Sequence, residues 1–304
     1  CAPGVPWVPP DGEVADVRTG DLCPRAETRA GLRPPTEQKR REERAVRNYL
    51  KAEWYKVLRR SYLWVTAGVV LAGELFLLLG FVAISLFSEV MARIRRCPVT
   101  GYQLVALLPL GLCASLLTGD MVMAGQHRNG TLKNEVAFGL SRAKIYWGKL
   151  LAQTELSLLL CLAFLGFYLA GCWLLLAHDP AADRPALQDV GRALASALPL
   201  WLGVQGLCCC MYFLCPSDLT GGITALVILF GLPVVYLIFG GLGGGTPLGL
   251  LIDRLYDLTP LVLLNRVINT SAPWDLCVRC WAVGAAWFGG FTALGLLAFR
   301  RKEL

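Results

Sequence analysis

Apolar runs long enough to cross a bilayer recur six times along this chain, near Val65–Phe87, Tyr102–Ala124, Leu150–Ala177, Ala193–Leu214, Leu219–Gly241 and Leu276–Phe299. About 20 helical residues span the hydrocarbon. Lipid offers a backbone no water to bond, so a spanning run must satisfy its own peptide groups as a helix. The runs therefore predict an all-α membrane protein with about six transmembrane helices. Composition agrees: 55% of the 304 residues are hydrophobic and the mean hydropathy is +0.53, against ~45–50% apolar residues in soluble domains. The net charge of +7 gathers beside the runs, where it meets an anionic inner leaflet. No basic segment interleaved with aromatics points to nucleic acid.

Charge also orients the chain. Lys51, Lys56, Arg59 and Arg60 precede the first run, a basic loop follows the second, and Arg300, Arg301 and Lys302 close the sequence. The loop around His178–Arg192 holds Asp179, Asp183 and Asp189 against Arg184 and Arg192, and is expected outside. Loops rich in Lys and Arg stay in the cytoplasm, which places both termini there. Arg93, Arg95 and Arg96 oppose this arrangement, but inverting it would misplace far more basic residues.

The basic loop, Gln126–Lys149, carries Arg128, Lys133, Arg142, Lys144, Lys149 and His127 against one acid, Glu135. Gly130 and Gly139 bracket a short helical stretch with Leu132 and Val136 at i and i+4 on one face. Ser141 reads as the N-cap of a helix that continues into apolar sequence. A short amphipathic helix held at the inner end of two spans is a handle for another protein.

The residues Gly130-Thr131-Leu132-Lys133-Asn134 and Phe138-Gly139-Leu140-Ser141-Arg142-Ala143-Lys144-Ile145-Tyr146-Trp147-Gly148-Lys149 resemble the intracellular coupling segment of ABC type-2 exporter permeases. The likeness runs from about Val46 to Leu304 and includes Asn48–Lys56 and the closing Phe299–Leu304. It implies that Gly130, Thr131, Leu132, Val136, Phe138, Gly139, Ser141 and Arg142 meet a separate ATP-binding subunit. It also implies a dimer with a second copy or a related permease, and ATP with Mg bound by the partner rather than by this chain. Export of a peptide antibiotic, drug or other amphipathic molecule across a bacterial cytoplasmic membrane follows from the resemblance alone. The alternative is a non-transporting membrane scaffold, which would share the spans without needing a docking helix.

Such permeases enter the membrane through an elbow helix, and Val46–Trp64 has that character. Leu50, Trp54, Val57 and Leu58 cluster on one side, with Lys56, Arg59 and Arg60 opposite and Lys51 at the edge. Trp54, Tyr55, Tyr62 and Trp64 suit the headgroup level. Upstream, Cys1–Ala45 is rich in Pro, Gly and Arg, holds eight basic and eight acidic residues, and lacks apolar periodicity and a signal-peptide core. It reads as an extension, either a disordered tail or not part of the natural protein. In support of the second reading, Lys39-Arg40-Arg41-Glu42 can be encoded by a purine run resembling a bacterial ribosome-binding sequence just ahead of Val46. The domain proper is expected over 46–304.

Carboxylates inside lipid are costly and face an interior or a cavity. Glu74 and Glu155 are candidates for a translocation path, and Asp120 is expected at the inner mouth beside the basic loop. The 12 cysteines form no disulfide framework. Cys161, Cys172 and Cys208-Cys209-Cys210 fall in spans, where thiols behave as small apolar groups. Cys277-Val278-Arg279-Cys280 has no further ligands for zinc and no thioredoxin-like context, and no metal site is assigned. Gly240–Thr246 lacks the Lys-Ser/Thr of a phosphate loop. Leu248–Trp274 predicts one or two short helices at the outer face. Asp120 and Asp257 resemble the aspartates of intramembrane proteases, but Leu117-Thr118-Gly119-Asp120 lacks the first required glycine. With no nucleotide or hydrolase motif, the chain is expected not to be an enzyme.

Overall fold

The computed structural model describes residues 35–87, 107–123, 126, 131–137, 140–175, 180–239, 247–270 and 273–302. The chain forms two units, 1–45 and 46–304. Among the described residues the elements are α1 (Pro35–Leu58), α2 (Ser61–Phe87), α3 (Leu108–Met123), α4 (Thr131–Ala137), α5 (Arg142–Leu175), α6 (Pro180–Leu214), α7 (Asp218–Phe239), α8 (Pro247–Asp257), α9 (Pro260–Asn269) and α10 (Trp274–Arg301), with no strand. The described residues of the first unit, 35–45, form the start of α1, so the end of the segment read as an extension is helical.

Among the described residues, five helices are long and apolar enough to cross a membrane: α2, α5, α6, α7 and α10. The expected second span is α3, an apolar helix of 16 residues; residues 102–106 and 124 of that span lie outside the described residues. So do Arg93, Arg95, Arg96 and Gly240–Thr246.

The core is built on α6. Its most apolar stretch is 83% buried, against 11% for α2 and α5. It touches α10, α3, α7, α9 and α5. Helices in lipid gain no hydrophobic drive from pairing, so small residues that let backbones approach mark their contacts. A Cβ on Gly284 would stand 2.3 Å from the Pro199 carbonyl, and one on Gly206 would stand 3.3 Å from the Phe288 backbone. These glycines seat α10 directly on α6. Outward, α2 exposes Val65, Val69 and Phe76, and α7 exposes Ile223, Val227 and Leu237, an apolar surface suited to lipid.

Two boundaries differ from the expectations. The helix expected to lie at the interface stops at Leu58 rather than running to Trp64. Trp64 belongs to α2, and its indole N–H donates to the Leu58 carbonyl at 2.9 Å, satisfying an end that α1 leaves open. Arg60, at the corner, bonds the Met121 carbonyl of α3 at 2.9 Å. The loop expected around His178–Arg192 is helical from Pro180. Proline suits a first turn because its missing N–H would be orphaned there, and Asp183 favours the positive helix start. Asp189 and Arg192 pair one turn apart at 2.7 Å. The segment expected at the outer face forms two short helices, α8 and α9. Asp257 pairs with Arg266, and Tyr256 stacks on Tyr236 at 3.8 Å. α9 buries Leu261, Leu263, Leu264 and Val267.

Candidate coupling site

Seven residues cannot hold a helix alone in water, so α4 is held by what surrounds it. Leu132 is 6% exposed and belongs to the main apolar core with Ile145 and Tyr146, and Val136 packs against that core. The apolar face expected to meet another protein is therefore filled by this chain's own bundle. The face that α4 turns outward carries Lys133, Asn134 and Ala137. Ser141 caps α5 as expected, its Oγ accepting the Lys144 backbone N–H at 3.4 Å. Gly130, Phe138 and Gly139 lie outside the described residues, and Thr131 opens α4.

Beneath α4 lies a cluster of charges. Lys149 of α5 is wholly buried. Its Nζ stands 3.1 Å from Glu53 Oε1 of α1 and 3.6 Å from Glu135 Oε1 of α4. Lys56 reaches the same two acids at 2.8 and 3.8 Å. The Tyr49 hydroxyl donates to Glu135 Oε2 at 3.0 Å. Gly148 makes room for this: a Cβ there would fall 2.5 Å from the Tyr49 ring. Burial alone would raise the Glu53 pKa, but Lys149 and Lys56 outweigh it and hold the carboxyl below its ordinary range. Burial, then the Glu53 and Glu135 charges, push the Tyr49 phenol well above its ordinary range. Removing one member of such a set leaves an uncompensated buried charge, typically at a cost of about 3–5 kcal/mol. The cluster ties α1, α4 and α5 into one piece.

Glu155, expected on a translocation path, accepts the Trp54 indole N–H at 2.8 Å and so fastens α1 to α5. Glu74 remains in α2, half-buried, with Oε2 lacking a hydrogen-bond partner. It stands one turn before Leu78, which lies against Gly171 of α5. The two acids thus occupy unlike settings. Asp120, in the last turn of α3, has Asp218 and Arg60 as charged neighbours. Cys277 and Cys280 form no disulfide, and Ser196 and Cys277 stand 2.9 Å apart in a hydrogen bond.

The bundle interior holds a polar thread absent from the expectations. Gln153 Nε2 donates to Gln205 Oε1 at 2.5 Å, and Gln205 Nε2 donates to Ser115 Oγ at 3.2 Å. The Trp201 indole donates to Ser157 Oγ at 3.2 Å. Lys149, Gln153 and Ser157 recur every four residues along α5, a polar stripe that puts three buried groups on one face.

Three helices end at this charged face, each under a basic residue from elsewhere. Arg60 takes the Met121 carbonyl of α3. Arg142, first in α5, takes the Phe299, Arg300 and Lys302 carbonyls at 3.0, 2.8 and 2.7 Å. Lys302 takes the Phe213, Leu214 and Cys215 carbonyls at 2.8, 3.4 and 3.3 Å. The last carbonyls of a helix lack partners and carry partial negative charge, so cations settle there.

A family model described as "ABC-2 family transporter protein" matches residues 49–231, more than half of the chain. The matched stretch contains Tyr49, Glu53, Lys56, Glu135 and Lys149, the whole charge cluster. No curated protein matches the chain.

Proposed function

The chain belongs to the ABC-2 family of transporters, and on that premise we propose that it is the membrane-spanning permease subunit of an ATP-driven exporter. It is a multi-pass membrane protein and a transport component. In our reading a separate ATP-binding subunit docks on α4 from the cytoplasm, where both termini lie, and a second copy or a related permease completes the pathway. ATP and Mg belong to the partner. The cargo is a peptide antibiotic, drug or other amphipathic molecule, and the membrane is the bacterial cytoplasmic one.

One observation carries the reading. Lys149 holds Glu135 of α4 and Glu53 of α1 in a single buried ion cluster. A docking helix is useful only if displacing it displaces the spans. An ion cluster that is costly to open resists slipping between the contact and the bundle. ATP then shifts the balance of two bundle states by binding one of them better. A scaffold has no use for a charged joint of this kind. The surface offered to the partner is Lys133, Asn134 and Ala137.

The test is copurification. Lys133→Glu combined with Ala137→Glu changes only exposed positions, so the permease should fold and insert normally and lose its ATP-binding subunit. Recovery of that subunit at the wild-type ratio would move docking away from α4. A wild-type chain that recovers no ATP-binding subunit at all would end the permease reading in favour of a scaffold.

A further inference from the structure

We propose that Arg142 and Lys302 are positioning residues that carry movement of the docking segment into the paired helices α6 and α10, a role that rests on the permease reading above. Arg142 is the first residue of α5, directly after the α4 segment. Its guanidinium closes the end of α10 through three carbonyls and lies 5.9 Å from the Phe299 ring centroid. The last described residue of the chain, Lys302, turns back and closes the end of α6. The order of contact is therefore α5 to α10 to α6, made at each step by a cation on orphan carbonyls.

What lies under these cations is stiff. Tyr146 of α5 sits 5.0 Å from Phe213 of α6, and Phe213 sits 4.7 Å from Phe299 of α10, ring centre to ring centre. A Cβ on Gly295 would meet the Tyr146 hydroxyl at 2.5 Å, so the ring fits against α10 only because that residue is glycine. Gly203, Gly206 and Gly284 hold α6 and α10 backbone to backbone, and such a pair moves as one body. A displacement arriving at Arg142 is then delivered to the most buried helix of the bundle. The two links depend on directed donors. Neither alanine nor methionine replaces them.

The relay is tested in the complete complex, permease with its ATP-binding subunit, reconstituted in lipid nanodiscs. Spin labels go on Lys144 of α5 and Leu297 of α10, both exposed. They are carried by a ketone-bearing unnatural amino acid, because the chain has 12 cysteines. In the wild type the Lys144–Leu297 distance should stay the same with and without ATP, since the two ends travel together. In Arg142→Ala it should shift and broaden on ATP addition. The kcat for ATP hydrolysis should fall on the order of tenfold, inside the usual span of coupling between sites, while the KM for ATP, set in the other subunit, stays put. Lys302→Met, which leaves the helix cores intact, should give the same split between kcat and KM. If Arg142→Ala keeps the wild-type distance and both variants keep the wild-type kcat with the ATP-binding subunit bound, the relay is wrong and the permease reading stands. If the wild-type chain binds no such subunit, both fall.

Discussion

Lys149 and Glu53 stand 3.1 Å apart, 96 positions apart in the chain, with both side chains shut away from solvent. Neither charge is tenable there without an opposite charge beside it. An isolated ion in a low-dielectric interior is expensive and normally gives up its charge. Here the pair is extended by Lys56 and Glu135, so opposite charges stay matched while three helices are joined.

Lys149→Met should therefore be the costliest single change in the cluster, losing about 3–5 kcal/mol by leaving the buried acids Glu53 and Glu135 with only the half-exposed Lys56 as counter-charge. Glu53→Gln alone should cost less, because Glu135 still faces Lys149. The double change Glu53→Gln with Lys149→Met should cost less than the sum of the two. A double-mutant cycle on thermal unfolding in detergent reads the difference, and simple additivity would show that the two side chains act independently.

The acid limb of stability should also belong in part to Glu53. Its folded pKa lies below the ordinary 4.5, so the unfolded chain takes up that proton first as pH falls. Stability from this group is complete above about pH 4.5 and drains away as pH drops through the folded value. Glu53→Gln should flatten that limb. Tyr49 works at the other end. Its pKa is raised from the ordinary 10.0, so its contribution is complete below pH 10 and is lost above it as the unfolded phenol ionises. Tyr49→Phe should flatten the alkaline limb. Equilibrium unfolding across both ranges, followed by tryptophan fluorescence, checks each sign.

The spans were legible because lipid leaves a long apolar run one solution. Ser141 was legible because a hydroxyl ahead of a helix has one common job. The face of α4 was not. The i, i+4 spacing of Leu132 and Val136 says that an apolar face exists and is covered, without saying whether a partner or the chain's own core covers it. The core covers it. The charge cluster was hidden for another reason: Glu53, Glu135 and Lys149 look like ordinary juxtamembrane charges until the fold joins them. A signal was available in Lys149, Gln153 and Ser157, polar residues every four positions where a lipid-facing helix would show none. The positive-inside pattern located Arg60, Arg142 and Lys302 at one face, but their use as helix caps needed the neighbouring helix ends.

Gly284→Ala should separate α10 from α6. The added methyl would meet the Pro199 carbonyl at 2.3 Å, a backbone atom that cannot rotate away, so the cost should reach the ~1–3 kcal/mol of overpacking or more. Gly68→Ala in α2 is the control. Nothing lies within 4 Å of that position, and alanine favours the helix by roughly 0.5–1 kcal/mol. Thermal shift should therefore move in opposite directions for the two variants.

Orientation has its own check. A membrane-impermeant reagent applied to intact cells should miss a probe at Lys144 and reach one at Arg254 of α8, both exposed side chains. The opposite labelling would turn the charged face outward and remove any route for a cytoplasmic ATP-binding subunit to α4.

The two faces of α4 should fail in different ways when damaged. Leu132→Asp puts a carboxylate at a position 6% exposed within the apolar core. Burial of an unpaired charge there should lower thermal stability by several kcal/mol and pull α4 off the bundle. ATP-binding subunit recruitment would then be lost as a consequence of unfolding the site. Lys133→Glu with Ala137→Glu alters only the outward face, so recruitment should fall with the melting temperature unchanged. Lower ionic strength should worsen the second defect if like charges on the partner cause it, and should leave the first untouched. Measured side by side, the pair separates a surface that binds from a surface that holds the helix in place. A Leu132→Asp protein that melts normally while failing to bind would return the docking face to Leu132 and Val136.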